Sequence, residues 1–247
     1  IGAADSRTRD GLENLTGKAV TLAGNLKLEV RSEAPDPQAL AQIRKRFDGR
    51  PVWLAASTHP GEEATILHAH ALTLKAHPDA LLILAPRHPE RGDEVARLID
   101  KQGFRFVRRS AGEIPSANQQ IWLADTLGEM ALWYGAARLA LIAGSLLPDI
   151  GGHNPIEASQ AGAVVLSGAH TASFDDLYAL YRQHEAVITV SNAASIAAAL
   201  ERVWSHRGPS IKAAKAAITE ASGGAMATSL AALEALLEHG KPAEIAS

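Results

Sequence analysis

The chain contains no cysteine. That removes any disulfide framework and any thiolate metal site, and it fits a reducing compartment. Aromatic residues make up only 4% of the sequence, so the core has to be built from Ala, Leu, Ile and Val. No apolar run approaches the ~18–20 residues of a membrane-spanning helix, and no secretory signal pattern is read at the start. Positive charge is not in excess either: 24 Lys and Arg stand against 27 Asp and Glu, for a formal net charge of −3. Binding a nucleic-acid polymer needs a basic face. That partner class is therefore excluded, while a local basic pocket for one small anion is not.

Several catalytic signatures are missing as well. There is no H-E-x-x-H, no G-x-x-x-x-G-K-[ST] loop, no G-x-G-x-x-G fingerprint and no G-x-S-x-G elbow. These absences disfavour a metalloprotease, a P-loop nucleotidase, a dinucleotide dehydrogenase and an α/β-hydrolase. The 10 histidines do not assemble a metal set; His68 and His70, two apart on a helix, face different sides. No metal site and no cofactor are expected.

What is present is an ordinary soluble composition, 21% charged and 47% apolar over 247 residues. That is enough for one large domain, or one domain with part of another. The first residue is Ile1 rather than Met, and the expectation is a fragment of a longer protein.

Residues 5–15 read as a short polar helix and residues 19–30 as a strand broken at Gly24-Asn25. Residues 31–37 (RSEAPDP) read as a linker. From residue 37 onward a helix, PQALAQIRKRF, opens an alternation of apolar runs and amphipathic helices. The runs lie at 52–57, 80–86, 104–110, 120–125, 139–145, 163–168 and 186–191. Helices are expected over 62–77, 90–102, 128–136 and 174–184, and at the end of the 141–162 stretch discussed below. The tail from Ser195 is nearly all helix, with a break at Arg207-Gly208-Pro209. Continuous apolar strands between helices mean a parallel sheet covered on both faces. Right-handed crossovers then give a doubly wound, Rossmann-like α/β fold. The expected division is 1–36 as the end of one domain plus linker, and 37–247 as a second domain with tail helices.

In such sheets ligands sit beyond the carboxyl ends of the strands. There this sequence places Ser57-Thr58-His59, Arg87-His88, Asp125-Thr126 and Gly144-Ser145. The most unusual stretch is LIAGSLLPDIGGHNPIEASQAG, residues 141–162. Asn154, Pro155 and Glu157 can be read as a capping box, with Glu157 returning to the Asn154 amide. That leaves Gly151, Gly152 and His153 unexplained, and a double glycine before a helix lets backbone amides approach a phosphate. Ser57 or Thr58 can cap the helix that Pro60 and Glu62-Glu63 begin, with no function required. Arg87, His88 and Arg91 form a basic turn, and Arg binds phosphate through a planar fork. Asp125 and Thr126 precede Gly128, whose helix opening (Gly128, Glu129, Met130) offers amides to a base or phosphate.

Taken together, GNLK, ASTHPGEE, PRHPER, DTLGEM and GSLLPDIGGHNPIE resemble, in order and spacing, the bacterial 3-deoxy-D-manno-octulosonic acid (Kdo) transferases. The G-G-H-N-x-x-E element after a G-S strand end is the specific part, and the resemblance covers essentially the whole chain. Asp149 departs from the expected loop. The resemblance implies the C-terminal, donor-binding half of a GT-B glycosyltransferase of lipopolysaccharide biosynthesis. It implies CMP-Kdo as donor, CMP as product and a lipid A precursor as acceptor. It further implies a soluble fragment of a parent associated with the cytoplasmic face of the bacterial inner membrane. The membrane anchor, the acceptor surface and the general base would lie in the other half, so no catalytic residue is expected in this chain. The implied donor-nucleotide residues are Ser57, Thr58, Arg87, His88, Asp125, Thr126, Gly128, Glu129, Met130, Gly144, Ser145, Gly151, Gly152, His153, Asn154 and Glu157. Two other readings stay open: half of a GT-B sugar-nucleotide epimerase, and a non-catalytic module that binds a partner through its Ala- and Leu-rich tail.

Overall fold

The computed structural model describes residues 2–24, 34–47, 49–206, 208–222 and 224–239. By its internal contacts the chain divides into two compact units, residues 1–31 with 218–247, and residues 32–217.

The first unit holds two short parallel strands, β1 (Gly2–Ala3) and β2 (Thr21–Leu22), around α1 (Ser6–Thr16). Asp5 caps α1 by accepting the Thr8 amide at 2.7 Å, and Gly17 ends it at φ 63°. The part of the expected strand beyond Gly24 lies outside the described residues.

The second unit carries the sheet. Its helix α2 (Pro37–Phe47) precedes β3 (Val52–Thr58), α3 (Glu62–Ala76), β4 (Leu81–Pro86), α4 (Gly92–Lys101), β5 (Phe106–Arg108) and β6 (Ile121–Leu123). There follow α5 (Met130–Ala136), β7 (Leu139–Ile142), α6 (Ile156–Gln160), β8 (Val164–Ser167), α7 (Asp175–Gln183), β9 (Val187–Thr189) and α8 (Ala193–Trp204). Helix α9 (Ile211–Ser222) runs from the second unit across its boundary at residue 217, and α10 (Ala225–His239) belongs to the first unit.

Seven apolar runs become seven parallel strands in the order β5-β6-β4-β3-β7-β8-β9. This is the doubly wound fold read from the sequence. Alternation along the strands splits the core into two layers. Trp53, Ala55, Leu82, Leu84, Leu139 and Leu141 pack with Ile66, Leu67, Ile99 and Ile196 of α3, α4 and α8. On the other side Trp122 of β6 meets Phe47 of α2 and Trp133 of α5 edge-on, at centroid distances of 6.3 and 4.8 Å. Full burial of such aromatics offsets their scarcity, since each removes ~150–250 Å² from water. Several boundaries differ from the sequence expectation: the strands expected over 104–110, 139–145 and 186–191 shorten to Phe106–Arg108, Leu139–Ile142 and Val187–Thr189. The helix expected from residue 90 begins as a 3-10 turn, Pro89–Arg91, before α4, and the one expected from Gly128 begins at Met130.

Strand order reverses beside β3: the chain first winds outward through β4, then returns to add β7, β8 and β9 on the other side. The crevice at such a reversal is where open α/β sheets bind ligands.

Candidate functional site

The end of β3 is irregular. Pairing with β4 slips between Ala56 and Thr58, and Ser57 takes φ 58°. A non-glycine residue in the left-handed region costs free energy, and such residues gather at functional sites. Ser57 is half-buried, and its hydroxyl has no hydrogen-bond partner among the described residues. Thr58, next along, is fully buried, and its hydroxyl donates to Glu63 at 3.1 Å. It supports the site from within and cannot reach a ligand.

Glu62 and Glu63 are more than first-turn helix residues. Both are buried, at 0% and 1% exposure. Glu62 accepts the amides of His59 (3.1 Å), Gly144 (2.8 Å) and Leu146 (3.0 Å), and so ties the end of β3 to the end of β7. Glu63 accepts from Thr58 and from the Arg91 guanidinium at 2.7 Å. Burying a carboxylate is costly unless hydrogen bonds replace its water, and here every replacement comes from a loop of the crevice.

The glycines of the second loop serve packing. Gly144 (φ 71°) leaves room for the His153 ring, whose Cδ2 lies 2.9 Å from where a Cβ would stand. At Gly151 (φ 85°) a Cβ would stand 2.5 Å from the Ser173 hydroxyl. Gly152 (φ 81°) abuts His170 and Thr171, and its N–H donates to the Gly144 carbonyl at 2.8 Å. The amide expected to cradle a phosphate at Gly152 is therefore already engaged. Ser145 is fully buried: its hydroxyl donates to the Ile142 carbonyl and accepts the Gly168 amide. It pins β7 to β8 and offers nothing to a ligand. The capping box is also replaced. Asn154 accepts the Ile156 amide at 3.0 Å, Pro155 occupies the cap, and α6 spans only 5 residues. So short a helix has little macrodipole to offer an anion.

Across the crevice His59 and His153 meet. Their Nε2 atoms are 2.8 Å apart, and the rings are nearly parallel, at 17°, with centroids 5.0 Å apart, so they meet edge to edge. Burial, the neighbouring His59 and Arg87 push the His153 pKa down to about 4. Burial likewise lowers that of His59, against the pull of the Glu62 carboxylate. His88 approaches His59 edge-on at 6.2 Å and reaches Glu90 at 3.5 Å. Tyr178, almost fully buried, holds the loop by donating to the His153 carbonyl at 3.0 Å.

Among the residues implied by the sequence, the exposed side chains of Arg87 and Glu157 have no hydrogen bond or ion pair with the described residues. The Arg87 charge is felt by both rings of the histidine pair. The structure thus brings Ser57, Arg87, His88, Gly144 and His153 to one end of β3, β4 and β7, with Asn154 following on the loop and Glu157 in the first turn of α6.

Asp125, Thr126, Gly128, Glu129 and Met130 lie at the end of β6, beyond β4. Asp125 accepts the Ser110 amide and hydroxyl and the Arg108 guanidinium, at 2.7 to 2.9 Å. Burial opposes its ionisation, but Ser110 and Arg108 together hold its pKa below the usual value. Glu129 pairs with Arg109 at 2.6 Å and accepts the Thr126 hydroxyl. Arg109 in turn lies within 6 Å of the Trp122 and Trp133 ring centroids, a cation–π contact. Both carboxylates expected to meet a ligand are thus neutralised by the protein. The exposed Gly128 (φ 79°) and the half-buried Met130 keep their place at the helix opening.

Sequence reasoning left His59, Glu62 and Tyr178 out of the site. For His59 the signal was available, since it follows Ser57-Thr58 directly. Glu62 looks like any acidic first-turn residue, and its burial is a tertiary fact.

A cavity of about 830 Å³ opens at the other end of the sheet, beside Val52, Arg138, Gly162, Val164 and Trp204. It lies at the amino ends of β3, β7 and β8. Convergence of polar groups, not volume, marks the opposite end as the candidate site. Among the described residues no group of three or more His, Cys, Asp or Glu could hold a metal ion. No helix among them is long and apolar enough to cross a membrane.

No protein-family model matches the chain. Among curated proteins it is 38% identical over 184 residues to the 3-deoxy-D-manno-octulosonic acid transferase of Haemophilus influenzae, covering 74% of this chain and 42% of that protein. To the Bordetella pertussis protein of the same name it is 40% identical over 166 residues, or 64% of this chain and 37% of that one. The chain therefore spans about two fifths of the length of these relatives. Among solved structures it resembles the C-terminal CMP-Kdo binding domain of WaaA from Acinetobacter baumannii. The TM-score is 0.62 at 28% identity, over 78% of this chain and 98% of that one. The similarity to Kdo transferases read from the motifs thus holds over most of the chain, and the fold resembles that of the WaaA C-terminal domain.

Proposed function

We propose that this chain is the donor-binding half of a Kdo transferase and holds CMP-Kdo, and after reaction CMP, at the crevice between β3 and β7. One observation carries the reading. At the strand-order reversal stand an uncommitted guanidinium (Arg87), a hydroxyl on strained backbone (Ser57), a histidine pair and an uncommitted carboxylate (Glu157). Arg87 suits the phosphate, and Glu157 suits the ribose hydroxyls as an acceptor. Asn154 has its carbonyl oxygen engaged by the Ile156 amide. Its amide NH2 and the Ser57 hydroxyl are left to orient phosphate or sugar.

In the transfer this reading implies, an acceptor hydroxyl attacks the anomeric carbon of Kdo and CMP departs with the bonding electrons. Charge grows on the phosphate as the bond breaks. Donors fixed at that oxygen favour the transition state over the ground state, which is what lowers the barrier. The crevice is organised for this: Glu62 and Tyr178 fix its walls before any ligand arrives, so little reorganisation is left for the reaction. The general base, the lipid A precursor and the association with the inner face of the bacterial membrane belong to the rest of the transferase. No metal or cofactor enters the proposal. The relatives and the structural neighbour named above are transferases or a domain of one, so half of an epimerase is not favoured.

Thermal unfolding tests the reading. CMP should raise the melting temperature in a concentration-dependent way through binding linkage, and AMP and NAD should not. A flat response to every cytidine nucleotide would count against it.

A further inference from the structure

The histidine pair has a chemistry that neither ring has alone. A 2.8 Å contact between two Nε2 atoms requires one hydrogen between them. One ring is therefore the Nε2–H tautomer, with a bare Nδ1. The other accepts at Nε2 and carries its own hydrogen on Nδ1. The neutral pair thus has one δ1 N–H and one bare δ1 nitrogen, and among the described residues neither has a partner. The bare nitrogen can take one proton. A second cannot be added without breaking the bond between the rings.

Building on the donor-site reading above, we propose that His59 and His153 bind the nucleotide's phosphate as one unit and take up a single proton as they do so. Protonation leaves a hydrogen on each δ1 nitrogen. With the Nε2 atoms joined and the ring centroids 5.0 Å apart, the two δ1 nitrogens lie on the outer sides of the pair, so one δ1 N–H donates to the phosphate while the other ring shares the positive charge through the hydrogen between the Nε2 atoms.

The surroundings favour this. The pair is held rigid: Gly144 gives the His153 ring its place, Tyr178 bonds its carbonyl, and Glu62 bonds the His59 amide. The charged and titratable groups facing it are Arg87 and His88 from the end of β4, with Glu62 and Glu63 from α3. Glu62 spends its oxygens on three backbone amides, and Glu63 spends its own on Thr58 and Arg91. Neither is an open counter-ion for an imidazolium. Without an anion, burial and the neighbouring charges disfavour a positive charge on the pair. A phosphate supplies the missing negative charge and raises the proton affinity of both rings.

Isothermal titration of the chain with CMP tests this, run from about pH 8 to about pH 5.5 in buffers of different ionisation heat. We expect uptake approaching one proton per phosphate bound near the acid end, with Kd falling by up to about tenfold per pH unit. His59→Gln and His153→Gln should each abolish the uptake. CMP itself titrates near pH ~6, so the methyl phosphodiester of CMP, which has no second ionisation, serves as a second probe. It should show the same uptake, and cytidine should show none. CMP binding with a pH-independent Kd and no proton uptake would overturn the inference and leave the donor site standing. Uptake with CMP but not with the diester would assign the proton to the ligand and overturn it too. If CMP gives no binding at any pH, inference and donor site fall together. Should either variant fail to fold, the wild-type diester titration decides alone.

Discussion

The Glu62 carboxylate accepts the Gly144 amide at 2.8 Å across 82 positions of sequence, joining the first turn of α3 to the end of β7. This bond closes the crevice at its floor, and the same carboxylate holds the amides of His59 and Leu146. Removing it would leave three buried donors without an acceptor. Glu62→Ala is expected to cost about 3 kcal/mol or more, seen as a melting temperature lower by roughly 6–12 °C. Glu62→Gln should cost less, about 1–2 kcal/mol. Its carbonyl oxygen can still accept two of the amides, while its NH2 group opposes the third. Equal melting temperatures for wild type and Glu62→Ala would refute the tie.

Arg87 and Glu157 should behave in the opposite way. Both are exposed and uncommitted among the described residues, so Arg87→Ala and Glu157→Ala should leave stability within about 0.5 kcal/mol. Each should weaken CMP binding by about tenfold, the loss of one charge-assisted hydrogen bond. Asp125→Ala is the contrast. It strips Ser110 of its acceptor and leaves the Arg108 guanidinium with Asp93 alone, and should lower stability by about 1–3 kcal/mol. Titration calorimetry and urea unfolding of the three variants separate the roles. Unchanged CMP affinity in Arg87→Ala would remove that residue from the site.

Acid should destabilise the fold through His70. Trp53 donates its indole N–H to His70 Nδ1 at 3.2 Å, so Nε2 carries the hydrogen toward the Gln120 carbonyl at 2.9 Å. Charging the ring would place a proton on Nδ1 against the indole. Burial, partly offset by the bond to Gln120, lowers the His70 pKa to about 4. The folded value lies below the unfolded one, so the unfolded chain binds more protons between the two. The contribution is complete above about pH 6.5 and shrinks by on the order of 3 kcal/mol as pH falls to about 4. Melting temperature against pH should therefore fall more steeply for wild type than for His70→Gln. Parallel profiles would contradict the assignment.

Much of this architecture was legible in the residues. Apolar runs such as LLILAP, bounded by helices, can only be buried parallel strands, and all seven appear. The end of the sheet where polar groups converge followed from the same reading. The roles of individual residues did not. Gly151 and Gly152 signal backbone freedom, but sequence cannot tell whether a phosphate or the Ser173 hydroxyl uses it. Asp125 and Glu129 look like free carboxylates because their partners, Arg108 and Arg109, come from the neighbouring edge strand and the residue after it. The contact of His59 with His153 spans 94 positions, and no periodicity reports it.

The central claim is that a cytidine nucleotide sits where β3 and β7 end. A backbone-amide NMR map of the chain titrated with CMP tests it directly. The account predicts shifts clustered at Ser57–His59, Arg87–His88, Gly144 and His153–Glu157. Shifts confined to the opposite end of the sheet, around Arg138, Gly162 and Trp204, would contradict it.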